Sequence, residues 1–422
     1  MGMIFRLSAI ALIYVCTSVA WVILGTTIYE RASETDQKLR GKVATTWGTM
    51  HTQRAPSATF GVPRQVETWV TENNQAVKRV KTEEDRRALP LEASDIQVEL
   101  GLEHRRKGLR WFSTYKVAFA GQYKIANRGA AEVEAKILLP YPAEQAVFDD
   151  TQVLVNGAPA VLESAPGAAV VTRKLKPGEA VDLRWAYRSQ GLDQWHYSFG
   201  EGHGVAQVRN FRLRMKTDFE AIDFADNTLS PTAKSRQAGG GGWNLEWSYR
   251  NLMSGFQIAM VMPEKLQPGP LAGRISYFAP VSLLFFFFVM LVITTLKQID
   301  LHPVNYFFLA AAFFAFHLLL AYLADLVDIH AAFAIASAVS VFLVVSYLRL
   351  VVGTRFAAVE AGGAQFLYLV LFSYAFFFEG LTGLAITVGS ILTLFAVMQL
   401  TAHVKWAERL TPAAASRDTA AS

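Results

Sequence analysis

The stretch YFAPVSLLFFFFVMLVITTL, residues 277–296, decides the fold class. It is free of charged residues and has the length that an α-helix needs to cross about 30 Å of hydrocarbon. Four further apolar windows follow, which we place at 304–326, 331–351, 361–378 and 383–403. Only residues 379–382 separate the last two windows, which leaves both a tight hairpin and a broken long helix open. Residues 275–405 are therefore predicted to form a five-helix transmembrane bundle.

A further apolar segment follows Arg6 at the start of the chain and runs to Ile28, about the length of one membrane span. A cleaved signal peptide is the alternative, with the small residues 18–20 as its cleavage site. The apolar run continues through residues 21–28, where a signal peptide would normally have ended. We therefore expect residues 1–29 to be an uncleaved transmembrane anchor.

Residues 30–274 lie between these apolar regions and have a mixed polar and charged composition. From Asp95 onward apolar and polar residues alternate, for example at 96–100 and 115–120. A period of two is typical of strands with one buried face. We predict an antiparallel β-sandwich-like domain over residues 95–274. Residues 30–94 are predicted to be a membrane-proximal stalk with a helical piece at 66–87.

The positive charges of the short loops predict the orientation. With Arg6 on the cytoplasmic side, the other cationic ends of the spans fall on the same side, at Lys297, Arg349, Arg355, Lys405 and Arg409. The opposite short loops contain acidic residues and one histidine but no lysine or arginine. The positive-inside rule then places both termini, including a tail at 406–422, in the cytoplasm and residues 30–274 in the periplasm.

Composition excludes several classes of function. The formal net charge is only +5, and the basic residues of the polar region are interleaved with acidic ones, so nucleic-acid binding is not expected. The single cysteine, Cys16, lies in the anchor, so no intramolecular disulfide can form. The run Gly239–Gly242 precedes no helix signal and no Lys-Ser or Lys-Thr pair. A flexible strand connection therefore fits it better than a phosphate-binding loop.

Four motifs resemble the CreD family of inner-membrane proteins that are linked to cell-envelope integrity: GPLAG (269–273), ISYFAPVS (275–282), LHPVNYFF (301–308) and FHLLLAYL (316–323). The layout of one anchor, one external domain and a C-terminal helical bundle is also similar. The resemblance covers about residues 269–406. It implies an envelope protein of the inner membrane. Where family members tend to have a Ser-Glu-His-like end of the third span, this chain has Leu323-Ala324-Asp325-Leu326, with His330 displaced onward.

Ionisable residues in or beside apolar spans are expensive and mark candidate functional sites. The candidate cluster comprises His317, Asp325, Asp328, His330 and Glu379. His317 and Asp325 are eight residues apart on one helix, about 12 Å along its axis, so they cannot pair directly. We expect His317 to have a structural hydrogen-bonding role, with a proton or ion relay as the alternative. The outer residues are expected to be solvated at the interface and not to hold a metal.

The polar domain offers one further candidate group, His196, Glu201 and His203. The glycines around these residues indicate a loop and not the helical turn of a zinc-binding His-Glu-x-x-His motif, so metal binding is not expected. No nucleophile-elbow motif is present, and the only cysteine lies in the membrane. We therefore expect no enzymatic activity and no cofactor.

Two functional hypotheses remain. The first is a non-enzymatic multi-pass protein of the CreD type, in which the membrane region presents the β-rich domain to an envelope protein partner. The second is a transporter or an accessory subunit of a membrane transport system, suggested by His317 and the acidic residues near the outer end of the bundle. A transport path should show several polar groups at mid-membrane, often beside broken helices.

Overall fold

The computed structural model describes residues 3–72, 75–108, 110–200, 204–378 and 380–402. The chain forms two compact units. The first comprises Met1–Gln37 and Leu266–Ser422, and the second comprises Lys38–Lys265. The first helix contributes residues to both units because it runs from Met3 to Trp47.

The first unit is helical. Its helices are α1 (Met3–Trp47), α2 (Pro268–Leu296), α3 (Pro303–Leu323) and α4 (Ile329–Val351), followed by a fifth span (Phe356–Phe377) and a sixth span (Thr382–Thr401). In the described part of the chain these six helices are long and apolar enough to cross a membrane, which agrees with the six predicted spans. Phe378 is extended and Gly380 has a φ of 81°, so the fifth and sixth spans are separate helices.

The fifth span is not a regular α-helix. Two π-helical segments, Phe356–Ala361 and Phe366–Leu371, flank a short α-helical segment at Gly362–Gln365. The span ends with an α-helical turn at Phe372–Tyr374 and a 3-10 turn at Ala375–Phe377. Wide π turns inside α-helices occur frequently at functional sites.

The second unit is rich in β-structure. Its strands are β1 (His51–Arg54), β2 (Ser57–Glu72), β3 (Gln75–Leu89), β4 (Leu91–Lys107), β5 (Arg110–Ala126), β6 (Val133–Pro140), β7 (Asp149–Val155), β8 (Ala158–Pro159), β9 (Glu163–Ala165), β10 (Ala168–Leu175), β11 (Ala180–Leu192), β12 (Gln194–Ser198), β13 (Ala206–Thr217), β14 (Ala233–Arg236), β15 (Trp243–Ser254) and β16 (Ile258–Val261). The run Gly239–Gly242 connects β14 to β15, as predicted.

These strands form three sheets. The orders are β14-β15-β13-β4-β5-β11-β7-β8, β3-β2-β6-β10-β9 and β1-β12-β16. The recorded strand pairs are antiparallel except β1 with β12 and β4 with β13, which are parallel. One buried apolar cluster includes Phe119 of the first sheet, Ile137 of the second and Trp195 of the third. The alternation in the sequence therefore correctly predicted strands with one buried face, but it did not predict the two parallel pairings.

The predicted helix at residues 66–87 is wrong. Strands β2 and β3 form a hairpin there, with Val66 opposite Lys81 and Gly61 opposite Arg86. The side chains of residues 80–88 are all exposed. This part of β3 has no buried face, so its sequence does not alternate between apolar and polar residues. The segment that we assigned to a stalk also supplies β1, and β2 pairs with β6 of the same sheet.

Glycines allow α1 and α2 to approach each other closely. A Cβ atom on Gly25 would lie 3.1 Å from the backbone nitrogen of Tyr277, and one on Gly273 would lie 3.5 Å from Ile28. Gly269 and Gly273 form a Gly-x-x-x-Gly pair, which is typical of close helix contacts in membranes. Trp21 is fully buried in the same unit, in one cluster with residues of α2 and α3.

We predict that Gly25→Ala lowers the stability of the protein by about 1–3 kcal/mol, because the new methyl group meets the backbone of α2. Gly389→Ala is the matched control, since nothing lies within 4 Å of a Cβ atom at that position. Thermal unfolding of the purified protein in detergent measures the difference. Equal stability of the two variants would contradict the close approach.

We predict that the fragment Lys38–Lys265 folds alone, whereas Asp95–Pro263 is unstable. The shorter fragment lacks β1, whose His51 and Gln53 side chains are fully buried, and it removes one of the two neighbouring strands of both β12 and β6. Circular dichroism and urea unfolding of both fragments test this. A cooperative transition of the same midpoint in the shorter fragment would show that β1–β3 are dispensable.

Candidate functional site

His317 lies on α3 and is completely buried. Its Nδ1 lies 2.9 Å from the carbonyl oxygen of Phe313, one turn earlier in the same helix. Because a carbonyl only accepts, Nδ1 is the donor, which leaves Nε2 of a neutral ring as an acceptor. The imidazole contacts the Trp21 ring of α1 edge-on, with 5.7 Å between the ring centroids. The hydrogen bond is thus within one helix, and the contact with another helix is aromatic.

Three buried polar atoms near this contact have no hydrogen-bond partner within the described residues. They are Nε2 of His317, Nε1 of Trp21 and Oγ of Ser18, which precedes Trp21 by almost one turn of α1. The indole N–H is a donor and Nε2 is an acceptor, so the two groups have complementary hydrogen-bonding chemistry. The contact between α1 and α3 therefore involves buried polar groups of both helices, whereas the sequence indicated only His317.

The outer members of the predicted cluster have local roles. Asp328 begins α4, and its Oδ1 accepts hydrogen bonds from the backbone N–H of His330 at 2.9 Å and of Ala331 at 3.4 Å. The His330 ring packs on Phe377 with 4.9 Å between centroids. Asp325 is half-buried in the turn after α3.

Four of the five predicted cluster residues lie in the described part of the chain. Glu379 lies outside the described residues. No hydrogen bond or ion pair joins the side chains of the other four there, and no group of three or more potential ligands could hold a metal ion. The N-cap role of Asp328 follows from its type and position, because a carboxylate before a helix accepts from the first free N–H groups.

Sequence reasoning missed a second polar group in the bundle, built on Gln365. This side chain is fully buried in the fifth span, between the two π-helical segments. Its Nε2 donates to Oγ of Ser340 on α4 at 2.7 Å, and Ser340 in turn donates to the carbonyl oxygen of Ala312 on α3 at 2.6 Å. The chain of hydrogen bonds links three helices. An amide within an apolar window was the available signal, and it lacks the charge that drew attention to His317.

A second set of hydrogen bonds links the fifth span to α2 and to the sixth span. Ser282 of α2 donates to the carbonyl oxygen of Tyr368, and the Tyr368 hydroxyl donates to Oγ1 of Thr393 at 3.0 Å. Tyr368 lies in the second π-helical segment. Oε1 of Gln365 and Oγ of Ser337 are buried without a partner among the described residues. Ser340 is therefore the residue through which Gln365 is linked to α3.

Ion pairs collect at one end of the first unit. Arg6 pairs with Asp300 at 3.3 Å, and Lys297 pairs with Glu360. These residues lie at the start of α1, after α2 and in the first turns of the fifth span. All of them belong to the end that the charge pattern predicts to be cytoplasmic.

The second unit contains a buried polar group around His51. Nε2 of His51 lies 3.5 Å from Oγ of Ser189, and Nδ1 has no partner among the described residues. Burial lowers the pKa of His51 to about 4. Ser189 donates instead to the carbonyl oxygen of Val147 at 2.8 Å, so its proton is directed away from the imidazole. A weakly basic histidine without an orienting carboxylate does not activate a serine nucleophile.

His196, which the sequence groups with Glu201 and His203 in a predicted loop, lies on a strand. His196 belongs to β12 and is half-buried, with Nε2 2.8 Å from Oε1 of Gln194 and Nδ1 3.3 Å from Oε1 of Gln257. Burial lowers the pKa of His196. Glu201 and His203 lie outside the described residues.

Comparison with known protein families gives one match. Residues 236–407 match the family described as inner membrane protein CreD. This part of the chain, about two fifths of its length, is similar to the CreD family. The resemblance seen in four sequence motifs is therefore confirmed. The matched region begins at the last residue of β14, so it includes β15 and β16 together with the C-terminal bundle. A search of curated proteins gave no match.

Solved structures offer only distant likenesses. A putative nutrient binding protein from Legionella pneumophila is 11% identical with a TM-score of 0.32, covering 57% of this chain and 76% of that one. An M1 zinc metallopeptidase from Deinococcus radiodurans is 13% identical with a TM-score of 0.26, covering 76% of this chain and 92% of that one. Likenesses at this level say nothing about the fold or the activity of this chain.

We predict that Ser340→Ala costs about 1 kcal/mol or more, because it leaves Nε2 of Gln365 buried without an acceptor. Adding Gln365→Leu should recover part of this loss, since the apolar pair leaves no amide unsatisfied. Thermal unfolding of both single variants and the double variant in detergent gives the coupling energy. Strictly additive effects would rule out a direct interaction between the two side chains.

We predict that acid destabilises the second unit through His51. Its pKa is about 4 when folded and 6.5 in a model peptide, so the stabilising contribution is complete above pH 6.5 and is lost as the pH falls toward 4. The loss should reach about 3 kcal/mol. Urea unfolding of Lys38–Lys265 and its His51→Gln variant across this pH range measures the difference. Parallel pH profiles for the two proteins would exclude a contribution from His51.

Proposed function

We propose that the chain is a non-enzymatic multi-pass inner-membrane protein of the CreD type that contributes to cell-envelope integrity. In this proposal the membrane helices hold the β-rich unit in the periplasm, where it contacts an envelope protein partner. Both termini are cytoplasmic. The proposal includes a sandwich-like arrangement of the β-sheets, supported by the apolar cluster that the three sheets share.

The distribution of charge along the six helices carries this proposal. If successive helices cross the membrane in alternating directions, Arg6, Lys297 and Arg355 lie at helix ends on one side of it. Asp328 and His330 then lie at helix ends on the opposite side. Lys38–Lys265 is inserted between the first and second spans, so it falls on the side opposite Arg6. The match of residues 236–407 to an inner-membrane family supports the choice of membrane.

The chemistry of the β-rich unit supports a non-enzymatic role. The Ser189 and His51 pair lacks the geometry of an activated nucleophile, and both nitrogens of His196 are directed at amide oxygens. Neither arrangement provides an activated serine nucleophile. We accordingly assign the unit a binding role.

A transport role is the second candidate, and the polar network of Gln365 favours it. Buried amide and hydroxyl groups near mid-span, beside π-helical segments, are features that transport paths share. Proton flux into proteoliposomes tests this role. Flux that His317→Gln or Gln365→Leu abolishes would favour transport over the first proposal.

We predict that an impermeant thiol reagent labels a cysteine at Ala130 in intact cells but not one at Thr354, both in a Cys16→Ser background. Both positions are exposed, Ala130 after β5 and Thr354 between α4 and the fifth span. Labelling of both positions in permeabilised cells is the control for accessibility. Labelling at Thr354 but not at Ala130 in intact cells would reverse the proposed topology.

A further inference from the structure

The outward face of the eight-stranded sheet carries three depressions. The largest encloses about 700 Å³ and is lined by residues of β4, β5, β7, β11, β13 and β15. The others enclose about 540 and 350 Å³ and both include Glu99 in their lining. Asp95, Gln97 and Glu99 alternate along β4, so they project from the same face of the sheet. The depressions therefore form a groove across one sheet face.

The same face of the sheet also carries small side chains. Ala120 of β5 lies opposite Ala186 of β11, and Ala118 occupies the next outward position on β5. Polar uncharged side chains stand beside these alanines, namely Gln122 and Asn210 in the largest depression. A ligand can thus approach the sheet closely and meet groups that both donate and accept hydrogen bonds.

The largest depression has more cationic than anionic side chains. Lys124, Arg184, Arg212 and Arg250 line it together with Asp95 and Asp182. Arg212 already pairs with Glu246 at 3.3 Å, and Asp95 is engaged by Arg214 at 2.9 Å.

Two guanidinium groups remain available for a ligand. Arg184 and Arg250 are exposed, and no carboxylate lies within ion-pair distance of either one among the described residues. Four strand spacings separate β11 from β15, which corresponds to about 19 Å along the sheet. The strands that carry the two groups are therefore well separated, and a ligand that spans the distance between them contacts both. The groove therefore suits an elongated ligand that repeats its negative charge.

We propose that this groove binds an acidic polysaccharide, whose carboxylate or phosphate groups contact Arg184 and Arg250. The planar guanidinium fork matches both kinds of oxyanion. Gln122 and Asn210 then exchange hydrogen bonds with the hydroxyl groups of the intervening sugars.

A glycan fits the groove better than an acidic protein segment. Protein interfaces are built around a fully buried apolar and aromatic centre. The outward side chains of the largest depression include amides and charged groups instead, and alanines lie beside it on the same face. The inference deepens the proposed function, because it names the chemistry of an envelope component that the β-rich unit meets.

Binding to the purified full-length chain in zwitterionic detergent tests the proposal. The probes are oligogalacturonate as the carboxylate-bearing chain, a phosphomannan as the phosphate-bearing chain, neutral dextran and polyglutamate. We expect one acidic saccharide to bind, dextran not to bind and added salt to weaken binding. Preference between the two acidic saccharides identifies the anionic group. Equal or tighter binding of polyglutamate, or binding of neither saccharide, would overturn the proposal.

The double variant Arg184→Gln, Arg250→Gln should weaken saccharide binding by about tenfold or more. The matched control is Arg173→Gln, Lys174→Gln, which removes the same charge from exposed positions on β10 of another sheet. An equal loss in both would show non-specific attraction and refute the groove.

If the glutamine variant does not fold, Arg184→Lys, Arg250→Lys keeps the charge but loses the bidentate geometry, and it should still weaken binding. Unchanged binding by that variant would count against the groove. Thiol labelling reports the compartment independently, so failure of the topology and failure of glycan binding are distinguishable.

Discussion

The requirement that every backbone N–H and C=O be bonded within hydrocarbon governs this chain. Water is absent from the bilayer core, so each span must satisfy its own backbone, and only helices or closed barrels do so. The six long apolar segments are accordingly helical, whereas the strands lie in Lys38–Lys265. A hydroxyl group without a hydrogen-bond partner is also costly in hydrocarbon, and Ser282 and Ser340 accordingly direct their hydroxyl groups at backbone carbonyls.

Local patterns in the sequence predicted what depends on local physics. Span length, the break before Thr382 and strand alternation from Asp95 could all be predicted because each reflects neighbouring residues. The β2–β3 hairpin could not be predicted in the same way. Its exposed residues 80–88 face solvent on both sides, so burial imposes no period of two on them. The parallel pairing of β4 with β13 joins residues more than a hundred positions apart, and no local signal specifies it.

The candidate site was predictable in part for a related reason. His317 and Asp328 could be identified from the sequence because their side chains are ionisable. The partners of a buried side chain depend instead on which helices meet. Gln365 became prominent only when α4 placed Ser340 within 2.7 Å of it. The indole N–H of Trp21 likewise gained significance from its contact with His317 of α3. Polar groups inside a membrane bundle are therefore better recognised by what they leave unsatisfied than by their charge.

The two π-helical segments of the fifth span have a consequence for how the family's sequences can vary. A π turn holds one residue more than an α turn, so every later side chain is rotated relative to a regular helix. Deleting one residue from Phe366–Leu371 and restoring the regular winding would leave Phe372–Tyr374 facing in nearly the same direction, because six residues of π-helix and five residues of α-helix turn the chain through nearly the same angle. A π turn thus absorbs a change of one residue in the length of this span, and a homologue one residue shorter here would present the same faces to α2 and the sixth span.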